Sequence, residues 1–265
     1  MKNQPAKNLS LDLERVVSDK YSAALSEYKT EFRQTWHSHD DFILVMVLRG
    51  NVREQVKCQD TVINAFDVGI KAPEIKHTDH FCPKGVRVIR LSLAPKFVAQ
   101  LKSESLINED WNWLKGSNAV RPFLQIGNSL LLQNSEITDE IHELLAAILP
   151  NKDLPKNSHP PFWLRRAKQQ LDETFLEGVR LSQLAIEAGV HPVYFARKFQ
   201  QFFGCNVGNY VRKLQVQKVH SLLISGKFSL SQIAVEVGFS DQSHLTRTFA
   251  NEFGITPANL RKLLK

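Results

Sequence analysis

The stretch "VGFSDQSHLTRTFANEFGITP", Val237–Pro257, decides how this chain is read. A looser copy, "AGVHPVYFARKFQQFFG", runs from Ala188 to Gly204. Leu184-Ala185-Ile186-Glu187-Ala188-Gly189-Val190 matches Ile233-Ala234-Val235-Glu236-Val237-Gly238-Phe239 at an offset of 49 (184 to 233). Phe195, Arg197, Phe199, Phe203 and Gly204 match Leu245, Arg247, Phe249, Phe253 and Gly254 at an offset of 50 (195 to 245), so the second turn carries one inserted residue. A short helix, a glycine turn and a second amphipathic helix make the helix-turn-helix plan.

Each position has a physical reason. Ala185 and Ala234 are small where two helices approach. Gly189 and Gly238 permit a positive φ at a helix end. Ser231 and Asp241 are read as N-caps. Phe195, Phe199 and Phe203, like Leu245, Phe249 and Phe253, recur every four residues and are read as core. The outward faces then carry Val193, Ala196, Arg197 and Gln200 in the first copy, and Gln242, Ser243, Thr246 and Arg247 in the second; Tyr194, Gln201 and His244 join Val193, Arg197, Gln200, Gln242, Ser243, Thr246 and Arg247 as candidate DNA contacts. Arg and Gln can grip base edges bidentately, and Thr offers a hydroxyl or a methyl. The bland alternative is two helical hairpins of an α-bundle. Duplication, and Arg in register in both copies, favour double-stranded DNA as the partner. The segment between the copies, read as a helix of about 17 residues, spans roughly 25 Å. That is the scale of successive major grooves, roughly 34 Å apart.

Charge supports the same half. Residues 156–265 hold 15 Lys and Arg against 7 Asp and Glu, a charge of +8, while residues 1–155 hold 19 against 20. A basic half favours a polyanionic partner. No apolar run approaches a membrane span. "MKNQPAKNLS" lacks a secretory apolar stretch, and the three cysteines form no even framework. The expectation is a cytoplasmic protein.

The polar, proline-rich "LPNKDLPKNSHPPF" (Leu149–Phe162) marks a boundary. Residues 1–150 are read as one domain, 151–160 as a linker and 161–265 as the DNA-binding domain. Before the boundary, short β-branched runs such as "FILVMVL" (Phe42–Leu48) and "VRVIRLSL" (Val86–Leu93) alternate with turn residues, which predicts a small antiparallel barrel or sandwich. Helices are expected beyond Pro95. The stripe Ile137, Ile141, Leu144, Leu145 and Ile148 is either core or, through 136–149, a homodimer surface. "WNWLK" (Trp111–Lys115) is expected to pack on the barrel with no chemical role. The fold class is α+β with an all-α C-terminal domain.

The C-terminal 105 or so residues resemble the DNA-binding domain of the AraC/XylS family of transcriptional regulators. The resemblance rests on "LSQLAIEAGVHPVYFARKFQQFFG", Tyr210, "SLSQIAVEVGFSDQSHLTRTFANEFGITP" and Arg261. It implies a seven-helix unit with two reading helices, contact with RNA polymerase, and activation. Gln215, Val219, Val207 and His191 depart from the family pattern. "TWHSHDDFILVMVLRG", with His37, His39 and Gly50, resembles the first motif of cupin barrels, and Gly69, Pro73 and His77 the second. This implies a cupin-like sensor holding a small molecule or a divalent metal. Three imidazoles suit zinc, iron or nickel. The carboxylate of the resembled motif falls on Ile43, with Asp40, Asp41, Glu54 or His80 as substitutes. For an organic effector, Trp36, Phe42, Arg49 and the histidines are the candidate lining. No nucleotide-binding loop or hydrolase motif is present, so no enzyme is expected.

Overall fold

A computed structural model describes residues 10–28, 32–104, 107, 111–115, 117–148, 159–178 and 181–265. The β-branched runs form strands β1 (Leu11–Val17), β2 (Tyr21–Tyr28), β3 (Phe32–His37), β4 (Phe42–Arg49), β5 (Val52–Val56), β6 (Gln59–Ile63), β7 (Val68–Lys71), β8 (His77–Phe81) and β9 (Val86–Leu93). Helix α1 (Pro95–Ser103), strand β10 (Trp111–Leu114) and helices α2 (Val120–Leu131) and α3 (Thr138–Ile148) follow. The rest is helical: α4 (Phe162–Thr174), α5 (Leu181–Glu187), α6 (Pro192–Phe203), α7 (Val207–Ser225), α8 (Leu230–Glu236), α9 (Gln242–Phe253) and α10 (Pro257–Leu264). The α+β class and the all-α reading of the C-terminal part both hold. Most of the expected linker, 151–158, lies outside the described residues. By packing, the chain forms two compact units, residues 1–149 with 250–265, and residues 150–249.

In the first unit, one sheet runs β1-β2-β9-β4-β7-β10 and the other β3-β8-β5-β6. Every pairing is antiparallel. Ile43, Val45 and Val47 of β4 meet Val52, Ile63, Phe81, Val86 and Val88 in the interior. Leu44, Met46 and Leu48, on the opposite face, are equally buried. α10 reaches β4 on the strand's flank, and α2 lies across β1, β2 and β9. Cover on both faces explains why "FILVMVL" is a continuous apolar run rather than an alternating one.

"WNWL" is itself a strand, paired with β7 so that Trp111 lies opposite Lys71 and Trp113 opposite Gly69. A Cβ at position 69 would come within 2.8 Å of the Trp113 ring, so only glycine lets the indole lie against the backbone. The stripe Ile137, Ile141, Leu144 and Leu145 is buried within the chain, where α3 packs on α2. Each such side chain contributes roughly 1.5–3 kcal/mol by leaving water. That apolar face is spent on the core; Asp139, His142, Glu143 and Ala146 are what α3 exposes, and Ile148, the last residue of the expected stripe, is half-buried.

Arg49 is the clearest departure from alternation. By parity with Ile43, Val45 and Val47 it would face the interior. The pairing of β4 with β9 slips between Val47 and Arg49, and Arg49 emerges beside Arg87. Both guanidinium groups donate to Glu27, at 2.7 and 2.8 Å. Both also donate to last-turn carbonyls of α10, Arg49 to Leu264 O and Arg87 to Leu263 O. Cations suit a helix C-terminus, where unpaired carbonyls carry partial negative charge.

Candidate nucleic-acid interface and sheet-domain site

The two repeated turns are the same structure twice. After α5, the Gly189 and Val190 amides donate to Ile186 O and Ala185 O; after α8, the Gly238 and Phe239 amides donate to Val235 O and Ala234 O. Gly189 and Gly238 have φ of +66° and +82°. Bonds reaching back five residues past a left-handed glycine satisfy helix-end carbonyls and fix the exit angle.

The caps differ between copies. His191 caps α6 by accepting the Val193 amide at Nδ1, 3.3 Å. Asp241 Oδ1 accepts the His244 amide at 2.7 Å, and that backbone bond holds its carboxyl below the ordinary range. A carboxylate at a helix start also suits the macrodipole. For α8 the cap is Ser229, not Ser231. Ser229 and Gln232 exchange bonds in a capping box, a device contributing about 1 kcal/mol. Ser231 lies in the first turn and donates to Gln242 Oε1 at 2.8 Å, tying α8 to the start of α9.

Phe195, Phe199, Leu245 and Phe249 are fully buried. Phe199 stacks on Phe195 and meets Phe203 and Tyr210 edge-on, with centroids 4.7–6.0 Å apart. Val193, Tyr194, Arg197, Gln200 and Gln201 of α6 are exposed, as are Gln242, Ser243, His244 and Arg247 of α9; Thr246 is half-buried. The α6 row begins with an apolar and an aromatic side chain, Val193 and Tyr194, 69% and 47% exposed. His244 is braced by Ser240 Oγ at 3.1 Å and by the edge of Phe239. Among the described residues, neither Arg197 nor Arg247 makes an ion pair or hydrogen bond. Their guanidinium groups are available for phosphate or base edges.

Helix α7 joins the copies. Its 19 residues rise about 28 Å. Tyr210 donates to Asp172 of α4. The positions that depart from the family pattern have packing roles. Val207 lies in the first-copy core, Val219 is fully buried, and Gln215 donates to Val237 O, 3.3 Å, at the second turn.

A second cluster lies in the sheet domain. His37 ends β3, His39 follows it, and His77 opens β8. Their ring centroids are 4.0–5.0 Å apart, and one ligand atom from each lies within 4.8 Å of the others. His37 Nδ1 is 2.8 Å from Thr35 O and His77 Nδ1 3.1 Å from Ile75 O. A ring nitrogen facing a carbonyl acts as the donor, so in a neutral ring Nε2 is left as a lone pair. Burial pushes the pKa of His37 down and that of His39 to about 3, the Lys71 ammonium adding to the effect, so both rings are neutral. The sequence did not single out Asp79. It alternates inward with His77 and Phe81 on β8, and its Oδ2 lies 3.5 Å from His77 Nε2 and 3.8 Å from His37 Nε2. Burial opposes its charge, but the Lys71 ammonium holds the carboxyl below the usual range.

Glu54, a candidate substitute ligand, is fully engaged. Its Oε1 accepts from Lys71 at 2.6 Å, and its Oε2 from the Trp111 and Trp113 indoles at 2.8 and 2.6 Å. The two tryptophans therefore have a polar role that their sequence context did not signal. Of the proposed effector lining, the structure gathers only the histidines. Trp36 is 52% exposed, and Arg49 is held by Glu27 and α10. A cavity of about 340 Å³ opens beside His39, lined also by Arg15, Ser22, Ile43, Arg90 and Ser92.

Residues 184–263 match a helix-turn-helix domain family. Over 96 residues, 36% of this chain and 35% of the relative, the chain is 33% identical to the virulence regulon transcriptional activator VirF of Yersinia enterocolitica. Over 86 residues, 32% of this chain and 70% of the relative, it is 35% identical to the probable transcription factor PqrA of Proteus vulgaris. Over 269 residues, 93% and 94% of the two chains, it is 24% identical to the transcriptional activator RhaR of Shigella dysenteriae. The match to VirF spans about a third of that relative's length. No helix among the described residues is long and apolar enough to cross a membrane. With a repeated turn, matched cores and exposed arginines in register, the chain belongs to the AraC family of helix-turn-helix transcriptional regulators.

Proposed function

We propose that this chain is a cytoplasmic transcription activator whose α6 and α9 read one DNA duplex, under control of a small molecule or metal bound in the sheet domain. The observation that carries the reading is the duplicated turn, which presents Arg197 and Arg247 at matched positions with no intramolecular partner among the described residues. The domain division at 151–160 belongs to this proposal, as does contact with RNA polymerase, which rests on relatives named as activators. A homodimer through 136–149 would use the polar His142–Glu143 face, since the stripe beneath is buried. We assign the chain no catalytic step. Control requires the effector to bind two arrangements of the protein with different affinity.

Arg247→Ala is expected to weaken specific binding by about 1–3 kcal/mol, roughly 5- to 150-fold, and to relax base preference at one position. Competition gel shifts against single-base variants of a selected site check this. Uniform weakening on every sequence would instead make Arg247 a phosphate contact.

A further inference from the structure

The buried charges beside the histidines do not balance among themselves. Glu54, Lys71 and Asp79 are all buried, two carboxylates against one ammonium. Glu54 is saturated by Lys71 and two indoles. Asp79 is not. Its Oδ1 makes no hydrogen bond, and Lys71 Nζ is 3.9 Å away. Facing its other oxygen are two buried Nε2 atoms, of His37 and His77, that also make no hydrogen bond. In the neutral tautomer that places each Nδ1 proton on a backbone carbonyl, the Nε2 atoms offer lone pairs. Three electron-rich atoms thus converge in a desolvated space. Unsatisfied buried acceptors are costly, and a group that satisfies all three at once is a cation.

The spacing suits a metal ion. Donors about 2.0–2.2 Å from a tetrahedral first-row ion lie about 3.3–3.6 Å from one another. The Asp79 oxygen stands 3.5 and 3.8 Å from the two Nε2 atoms. The Nδ1 contacts to Thr35 O and Ile75 O are the outer partners that hold ligating imidazoles in one tautomer. His39 stands with its ring 5.0 Å from both others and borders the cavity.

We propose that His37 Nε2, His77 Nε2 and an Asp79 carboxylate oxygen bind a divalent first-row transition metal ion, with His39 closing the site toward the cavity. The carboxylate comes from β8, two residues after His77. It comes neither from position 43, where Ile43 is apolar, nor from Glu54, which is engaged. Imidazole with one carboxylate suits the zinc, iron and nickel class rather than magnesium or calcium. The proposal deepens the effector reading and rests on it for any regulatory meaning; the binding itself is separately measurable.

The test uses the full chain, purified without a tag or imidazole and stripped with chelator, then titrated with Co(II). Expected are one equivalent bound and a visible absorption band of low-coordinate cobalt. Outer-shell changes cost about 10–100-fold in metal affinity, so loss of a direct ligand in Asp79→Asn should exceed about 100-fold. His37→Gln, at a less buried position, should do the same if Asp79→Asn proves unstable by circular dichroism. His142→Asn, on the exposed face of α3, should bind as the unaltered chain does. Uptake below roughly a tenth of an equivalent would overturn the site, and cobalt affinity unchanged in a folded Asp79→Asn would overturn the carboxylate assignment. Gel shifts with and without cobalt separate the two claims. Full cobalt binding with unaltered DNA affinity leaves the site standing and removes its regulatory role. DNA binding without cobalt uptake sinks the site alone.

Discussion

Phe199→Ala is expected to destabilise the unit built on α4–α7 by about 3–5 kcal/mol. Phe199 is fully buried and shares its cluster with Leu164, Leu171, Leu184, Phe195 and Val207, drawn from four helices. Truncation removes the transfer free energy of a benzyl group and leaves a cavity that the surrounding helices close only partly. It also removes contacts with Phe195, Phe203 and Tyr210, and aromatic pairs add about 0.5–1.5 kcal/mol beyond area. Specific DNA binding should fall with it, because Arg197 lies two residues away on the same helix and is aimed by this packing. Urea denaturation with parallel gel shifts tests the prediction. Phe199→Leu, which keeps most of the volume, should retain most of both properties. A Phe199→Ala variant of unchanged midpoint would show that the first copy is not a packed unit.

The second large effect is expected at Glu27. Its carboxylate is shared by Arg49 and Arg87, with side chains 27% and 4% exposed. A surface ion pair contributes about 0–1 kcal/mol, but removing one partner of a buried pair costs about 3–5 kcal/mol by stranding the other charge. Glu27→Ala strands two guanidinium groups. Each retains one carbonyl of α10, so α10 should loosen as well. The expected result is a loss near the lower end of that range, because Arg49 is partly solvated. Faster hydrogen exchange across Pro257–Leu264 should accompany it. Replacing all three residues by apolar side chains of similar volume should restore part of the loss. Loss of stability with no change in exchange at α10 would show that the arginines do not hold the helix.

Much of this was legible from residue pattern alone. The repeat gave both turns, because a left-handed glycine and a small alanine leave a local signature. Phe195, Phe199, Leu245 and Phe249 were legible as core from their spacing of four. What failed depended on partners distant in sequence. The β4 slip that turns Arg49 out exists only in its pairing with β9. Trp111 and Trp113 receive their polar partner from Glu54, more than fifty residues away. Asp79 has no local signature, because its role comes from two imidazoles that face its Oδ2, one of them from β3. Ser231, a serine near a helix start, has the residue type of a cap but not the position, which is Ser229's. The Ser229-x-x-Gln232 signature, present in the sequence, was the better guide.

The departures from the family pattern are explained by packing. Val207 lies in the first-copy core, Gln215 braces the second turn and Val219 is fully buried, so none of the three lies on an exposed row of α6 or α9. On the proposed reading, specificity comes from α6 and α9 themselves. Their rows differ, Val193 and Tyr194 against Gln242, Ser243 and His244. The two prongs are therefore expected to read unlike half-sites.

The central claim is that α6 and α9 occupy consecutive turns of one duplex. Hydroxyl-radical footprinting of the full chain on a site selected from random DNA tests it most directly. The account predicts two protected patches on one face, about 10–10.5 base pairs apart. Arg197→Ala should fade one patch and Arg247→Ala the other. A single patch, or both fading together in each variant, would contradict it.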